Sequence, residues 1–160
     1  MDRVQQLACQ LGERLLQRRA MLVTAESCTG GWIAKVITDI PGSSRWFERG
    51  FVTYTNVAKR EMLGVSEEVL ESYGAVSEQT VQQMASGALA HSHAQLSVAV
   101  SGIAGPGGAV PGKPVGTVWF AWADSRGWME SHREHFTGDR EAVRQGAVWV
   151  ALEGLRDAAG

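Results

Sequence analysis

Lysine is scarce in this chain. Of its 15 basic residues only three are lysines, Lys35, Lys59 and Lys113, and the other 12 are arginines. Codon usage alone can produce such a bias, so scarcity assigns no role, but it makes each lysine worth placing. Positive charge is not in excess either. The formal net charge is −2, which argues against nucleic acid as a partner, because phosphate backbones select a basic surface. No apolar run reaches the ~18–20 residues of a membrane span. The first twenty residues, MDRVQQLACQLGERLLQRRA, are too highly charged for a secretory signal. The two cysteines, Cys9 and Cys28, match no metal-ligand spacing and form no disulfide framework, so a reducing, cytoplasmic setting is expected. What remains is 160 residues, 44% of them hydrophobic. That is enough for one domain with a sizeable core, expected over 1–160, and too little for two.

The patterning alternates. Val4, Leu7, Ala8, Leu11 and Leu15 recur at helical steps. Met21–Ala25 reads as a short buried strand, followed by a Gly-containing turn and a helix near Trp32–Ile40 that Pro41-Gly42 ends. Phe51–Tyr54 reads as a second strand and Asn56–Leu63 as a helix. Ser66 and Ser77 are placed to cap two more helices. Leu96–Val100 is almost wholly apolar, as a central strand covered on both faces should be. Val115–Ala123 and Trp128–Phe136 form a hairpin pattern, and a last helix opens at Gly138-Asp139. This order predicts an α/β fold, a three-layer α/β/α sandwich with a mixed, mostly parallel sheet.

Three places could carry chemistry. Ser27 follows an apolar strand and precedes Gly30-Gly31 at a helix start, where backbone N–H groups can hold a developing oxyanion. From position alone, Ser27 or Thr29 could equally be a helix cap. A nucleophilic serine needs a base. His91, His93, His132 and His135 lie at a helix end or on a hairpin strand, so a Ser-His-Asp triad is poorly supported. Lysine is the other base used with serine. Lys59 sits on a short helix after the second strand, and it would meet Ser27 if the two strands are neighbours. The third place is the loop Ser101–Pro114, whose Gly102, Gly105, Gly107, Gly108 and Gly112 permit close ligand approach. It matches neither a Walker loop nor a dinucleotide fingerprint. Arg140, beside Asp139, is placed to meet a phosphate or carboxylate.

Taken in order, the motifs Ala25-Glu26-Ser27-Cys28-Thr29-Gly30-Gly31, Tyr54-Thr55-Asn56-Val57-Ala58-Lys59, Leu63-Gly64-Val65, Gly74-Ala75-Val76-Ser77, Ser101-Gly102-Ile103-Ala104-Gly105-Pro106 and Lys113-Pro114-Val115-Gly116-Thr117-Val118 resemble the CinA C-terminal domain family in its stand-alone form. The resemblance runs from about residue 5 to 155. It implies an α/β/α sandwich and hydrolysis of the carboxamide of nicotinamide mononucleotide to the nicotinate nucleotide and ammonia, in pyridine nucleotide recycling. It implies Ser27 as nucleophile and Lys59 as base, with no cofactor and no metal. Tyr54 and a late arginine become auxiliary residues, Arg140 ahead of Arg144. Thr29, Gly30, Gly31, Asn56, Ser101, Gly102 and Gly105 become the expected substrate contacts. A non-catalytic nucleotide-binding module is the alternative. One departure stands out: where relatives often carry an acidic or polar stretch after Pro106, this chain reads Gly107-Gly108-Ala109-Val110-Pro111-Gly112. A homodimer is also expected, with Trp46, Trp122 and Trp128 as candidates for its interface.

Overall fold

The computed structural model describes all 160 residues. Helix α1 (Arg3–Arg18) opens in a capping box between Asp2 and Gln5 and ends at Arg19 in the left-handed region. Then come β1 (Leu22–Glu26), α2 (Trp32–Thr38), a 3₁₀ turn (Ser43–Arg45), β2 (Phe47–Val52), α3 (Asn56–Leu63), α4 (Glu67–Tyr73) and α5 (Glu78–Ala90). The chain continues through β3 (Leu96–Gly102), β4 (Thr117–Asp124), β5 (Met129–His135) and α6 (Arg140–Ala159). Ser66 and Ser77 cap α4 and α5 as expected, through bonds from the Val69 and Thr80 N–H groups.

The strands form one sheet in the order β2-β1-β3-β4-β5. β1 is parallel to both β2 and β3, and β4 is antiparallel to both β3 and β5. All strands except β4 therefore point the same way, as the expected mixed, mostly parallel sheet requires.

Side chains alternate between the two faces of a strand, and this alternation builds two cores. On one face Leu22, Val98, Val100 and Phe120 pack against α1, α2 and α6 through Leu11, Ile33, Ile37 and Leu152. On the other face Val23, Ala25, Ala99 and Ala121 pack against α3, α4 and α5 through Leu63, Leu70, Val81 and Met84. The same alternation places Glu26, the last residue of β1, under α2. Ser27, one residue on, faces the α3 side.

Two expectations need correction. The second strand is not Phe51–Tyr54 but Phe47–Val52. It lies at the sheet edge and pairs only with β1, so its first half, Phe47-Glu48-Arg49-Gly50, is half-solvated and lacks an apolar signature. Tyr54 falls beyond the strand, on the rim. Trp46 and Trp122 are core residues rather than candidates for a dimer interface. Trp46 packs over Gly12 of α1, and the Trp122 indole donates to the Ala151 carbonyl beside Gly154. Trp128 is exposed. No helix is long and apolar enough to cross a membrane.

Candidate active site

The carboxyl ends of β1, β2 and β3 converge on one rim, where open α/β sheets bind ligands. Ser27 is anchored there by its N–H, which donates to the Val100 carbonyl of β3. Thr53, just past β2, donates to the Glu26 carbonyl and brings the start of α3 alongside. Thr55 caps α3 through the Ala58 N–H, and Lys59 lies one turn further on.

The Lys59 ammonium reaches two oxygens, Ser27 Oγ and the Thr53 carbonyl, each at 2.9 Å. Lys59 is 1% exposed, and no carboxylate pairs with it. Burial disfavours the charged form, pulling its pKa from 10.5 down to about 8. At pH 7 that leaves roughly a tenth of it neutral, far more than an ordinary lysine offers, and a general base requires the neutral form. The neighbouring Cys28 is no rival nucleophile. Burial pushes its thiol up to about 12, so it stays protonated.

A cavity of about 270 Å³ opens over this pair. Ser27, Tyr54, Asn56, Lys59, Ser101, Gly102, Gly105 and Arg140 all line it, together with Ala75, Val76, Ile103 and Ala104. Lys59 and Arg140 are its charged members. Arg140, the first residue of α6, spans the mouth: one guanidinium nitrogen donates to the Gly105 carbonyl and another to the Tyr54 hydroxyl, both at 2.8 Å. Tyr54 itself is 57% exposed. The wider groove of about 420 Å³ between Trp32 and Trp149 contains no nucleophile–base pair.

Thr29, Gly30 and Gly31 do not line this cavity. They shape the turn beneath it. Gly31 enters α2 with φ +99, a left-handed conformation that glycine tolerates best. The Thr29 hydroxyl donates to Glu26 at 2.6 Å. The Cys28 and Thr29 N–H groups have no acceptor in the protein, which leaves two adjacent donors beside the serine. Glu26 also accepts the Ile33 and Ala34 N–H groups, capping a helix whose own N-cap, Gly31, has no side chain to do so. Burial raises its pKa, and those bonds pull the other way. Sequence reasoning assigned Glu26 no role, although a carboxylate ending an apolar strand just before a Gly-Gly helix start was the available signal. Arg144 binds the Cys28 and Thr29 carbonyls and not the cavity. Lys113 reaches the Tyr73 carbonyl and Lys35 pairs with Asp39 on the surface. No histidine lines the cavity.

The profile of the CinA C-terminal domain matches residues 4–159. The chain belongs to that family. It is 59% identical over 150 residues to the nicotinamide-nucleotide amidohydrolase PncC of Escherichia coli K12, covering 94% of this chain and 91% of that protein. Its identity to the protein of the same name from Pseudomonas putida is 54% over 155 residues, covering 97% and 96%. In three dimensions it superposes on the competence/damage inducible protein CihA of Agrobacterium tumefaciens with a TM-score of 0.96 at 47% identity, covering 99% of this chain and 96% of that one.

Proposed function

We propose that this protein is a nicotinamide-nucleotide amidase working through a serine–lysine acyl-enzyme, with a place in pyridine nucleotide recycling in the cytoplasm. The substrate assignment is supported by the relatives named above. The mechanism is carried by one observation: a lysine buried without a carboxylate partner, within hydrogen-bond reach of a serine at a strand end.

Neutral Lys59 takes the Ser27 proton as Oγ attacks the carboxamide carbon. The carbonyl oxygen gains the negative charge, and the Cys28 and Thr29 N–H groups, which follow the serine and have no acceptor in the protein, receive it. Protonated Lys59 gives its proton to the departing ammonia. Water then attacks the acyl-enzyme, Lys59 again accepting a proton and returning it to Ser27. Ser101, Gly102 and Asn56 lie against the ring and ribose, and Arg140 with the glycine loop receives the phosphate.

Ammonia release from nicotinamide mononucleotide tests both levels of the proposal. Ser27→Ala and Lys59→Ala are each expected to lose roughly 10⁴–10⁶-fold in kcat, as coupled nucleophile–base units do. Near-full activity in Lys59→Ala sinks the dyad. Calorimetric binding of the nucleotide by the unaltered protein with no ammonia released would make it a binding module instead.

A further inference from the structure

Arg144 lies one turn along α6 from Arg140, so both face the same side of the helix. Like charges at this spacing repel, and a cation in the first turn of a helix opposes its dipole. Each guanidinium is held by oxygens instead. Arg140 goes to the cavity mouth. Arg144 goes beneath the nucleophile: its Nε donates to the Cys28 carbonyl at 3.1 Å and Nη2 to the Thr29 carbonyl at 3.3 Å. Its guanidinium carbon sits 5.7 Å from the Trp32 ring centroid, within cation–π range. The same turn is also held by Glu26, through Thr29 Oγ1, Ile33 N and Ala34 N.

The geometry points to Arg144 as a positioning residue for the oxyanion donors, an inference that rests on the serine–lysine reading above. A trans peptide carries its C=O and N–H in opposite directions. A cation on the Cys28 carbonyl therefore aims the Thr29 N–H away from α6, and it polarises that peptide so that the N–H is a stronger donor. The Thr29 carbonyl, also held by Arg144, accepts the Trp32 N–H, which locks the loop to the start of α2. Arg144 does not line the cavity. It acts through the Cys28–Thr29 peptide, whose cysteine does.

The experiment compares the parent protein with Arg144→Ala and Arg144→Lys. The first readout is kcat and KM for nicotinamide mononucleotide. The second is the rate at which an aryl fluorophosphonate modifies Ser27, a reaction that places a developing P–O⁻ in the same donors and needs no knowledge of the natural amide. Arg144→Ala is expected to lower both kcat and the labelling rate by about 10- to 100-fold, less than the ~10²–10³ of deleting a donor outright. KM should stay within about threefold, as for an interaction made in the transition state. Because the Lys59 contacts are untouched, the midpoint of the pH profile should not move. Arg144→Lys should fall between the two, since one ammonium cannot replace a fork on two carbonyls. Equal labelling rates per folded molecule in all three proteins overturn the inference, as does a loss confined to KM or to melting temperature. Normal labelling with no amidase activity in the parent would refute the substrate assignment alone. A parent that is inert in both assays removes the serine–lysine reading and this inference with it.

Discussion

Lys59→Met isolates the energetic cost of burying the general base. In the folded protein burial brings the lysine from 10.5 to about 8; in the unfolded chain it returns to its ordinary value. Between those values the unfolded chain binds the extra proton, so stability rises with pH there, and below them the full penalty applies. At about 1.4 kcal/mol per pKa unit, holding the ammonium inside the fold at pH 7 costs about 3 kcal/mol. By pH 10 the folded lysine is neutral, the unfolded one only partly protonated, and the cost falls to about 1 kcal/mol. Methionine has similar length and no charge. The substitution leaves Ser27 Oγ and the Thr53 carbonyl without their donor, a loss that does not depend on pH. Whatever the absolute difference in stability, it should therefore move by about 2 kcal/mol in favour of the parent between pH 7 and pH 10. In a domain of this size that is a relative shift of roughly 4–8 °C in melting temperature. Paired thermal or urea unfolding of the two proteins across this range reads the difference directly, and other titrating groups cancel. A difference that stays flat with pH means Lys59 titrates near 10.5 in the fold, and the case for it as a base near neutrality collapses.

Two further outcomes follow from the same geometry. The amidase kcat/KM should rise about tenfold per pH unit below pH 8 and level off above it, because neutral Lys59 is the reactive form; a profile flat from pH 6 to 9 would exclude it. Gly87→Ala should destabilise by about 1–3 kcal/mol, the range of overpacked cores, because its Cβ would overlap the Leu63 carbonyl at the end of α3. Ammonia release should drop with it, since α3 carries Lys59, and unchanged melting and turnover would show that α3 yields freely.

The candidate site was legible where chemistry and local order coincide. Ser27 stands at a strand end before glycines, and Lys59 follows the next strand in a spacing that a parallel neighbour makes close. The core strands were legible from their apolar runs. The edge strand β2 was not, because one of its sides faces solvent and its first half is polar. Thr29, Gly30 and Gly31 were expected against substrate because they flank the serine. They do not line the cavity because α2 starts there and its first N–H groups claim Glu26, although the Thr29 N–H keeps no acceptor in the protein. Arg144 could not be placed from sequence, since its two acceptors are 116 and 115 residues away. Trp46 and Trp122 read as surface candidates only because nothing local reveals the glycines, Gly12 and Gly154, that make room for their rings.

The reach of α6 has a consequence for how this protein folds. The serine and the lysine meet through neighbouring segments of the first sixty residues, but the Cys28–Thr29 peptide beside the serine is braced from the last helix, and that helix packs against the first. Contacts of such sequence separation carry a loop-closure entropy cost and slow folding. A chain whose sheet had formed without α6 would lack both Arg140 at the cavity mouth and Arg144 on the Cys28 carbonyl. Recovery of turnover during refolding is therefore expected to follow docking of the chain's C-terminal helix, and so to report on completion of the whole fold.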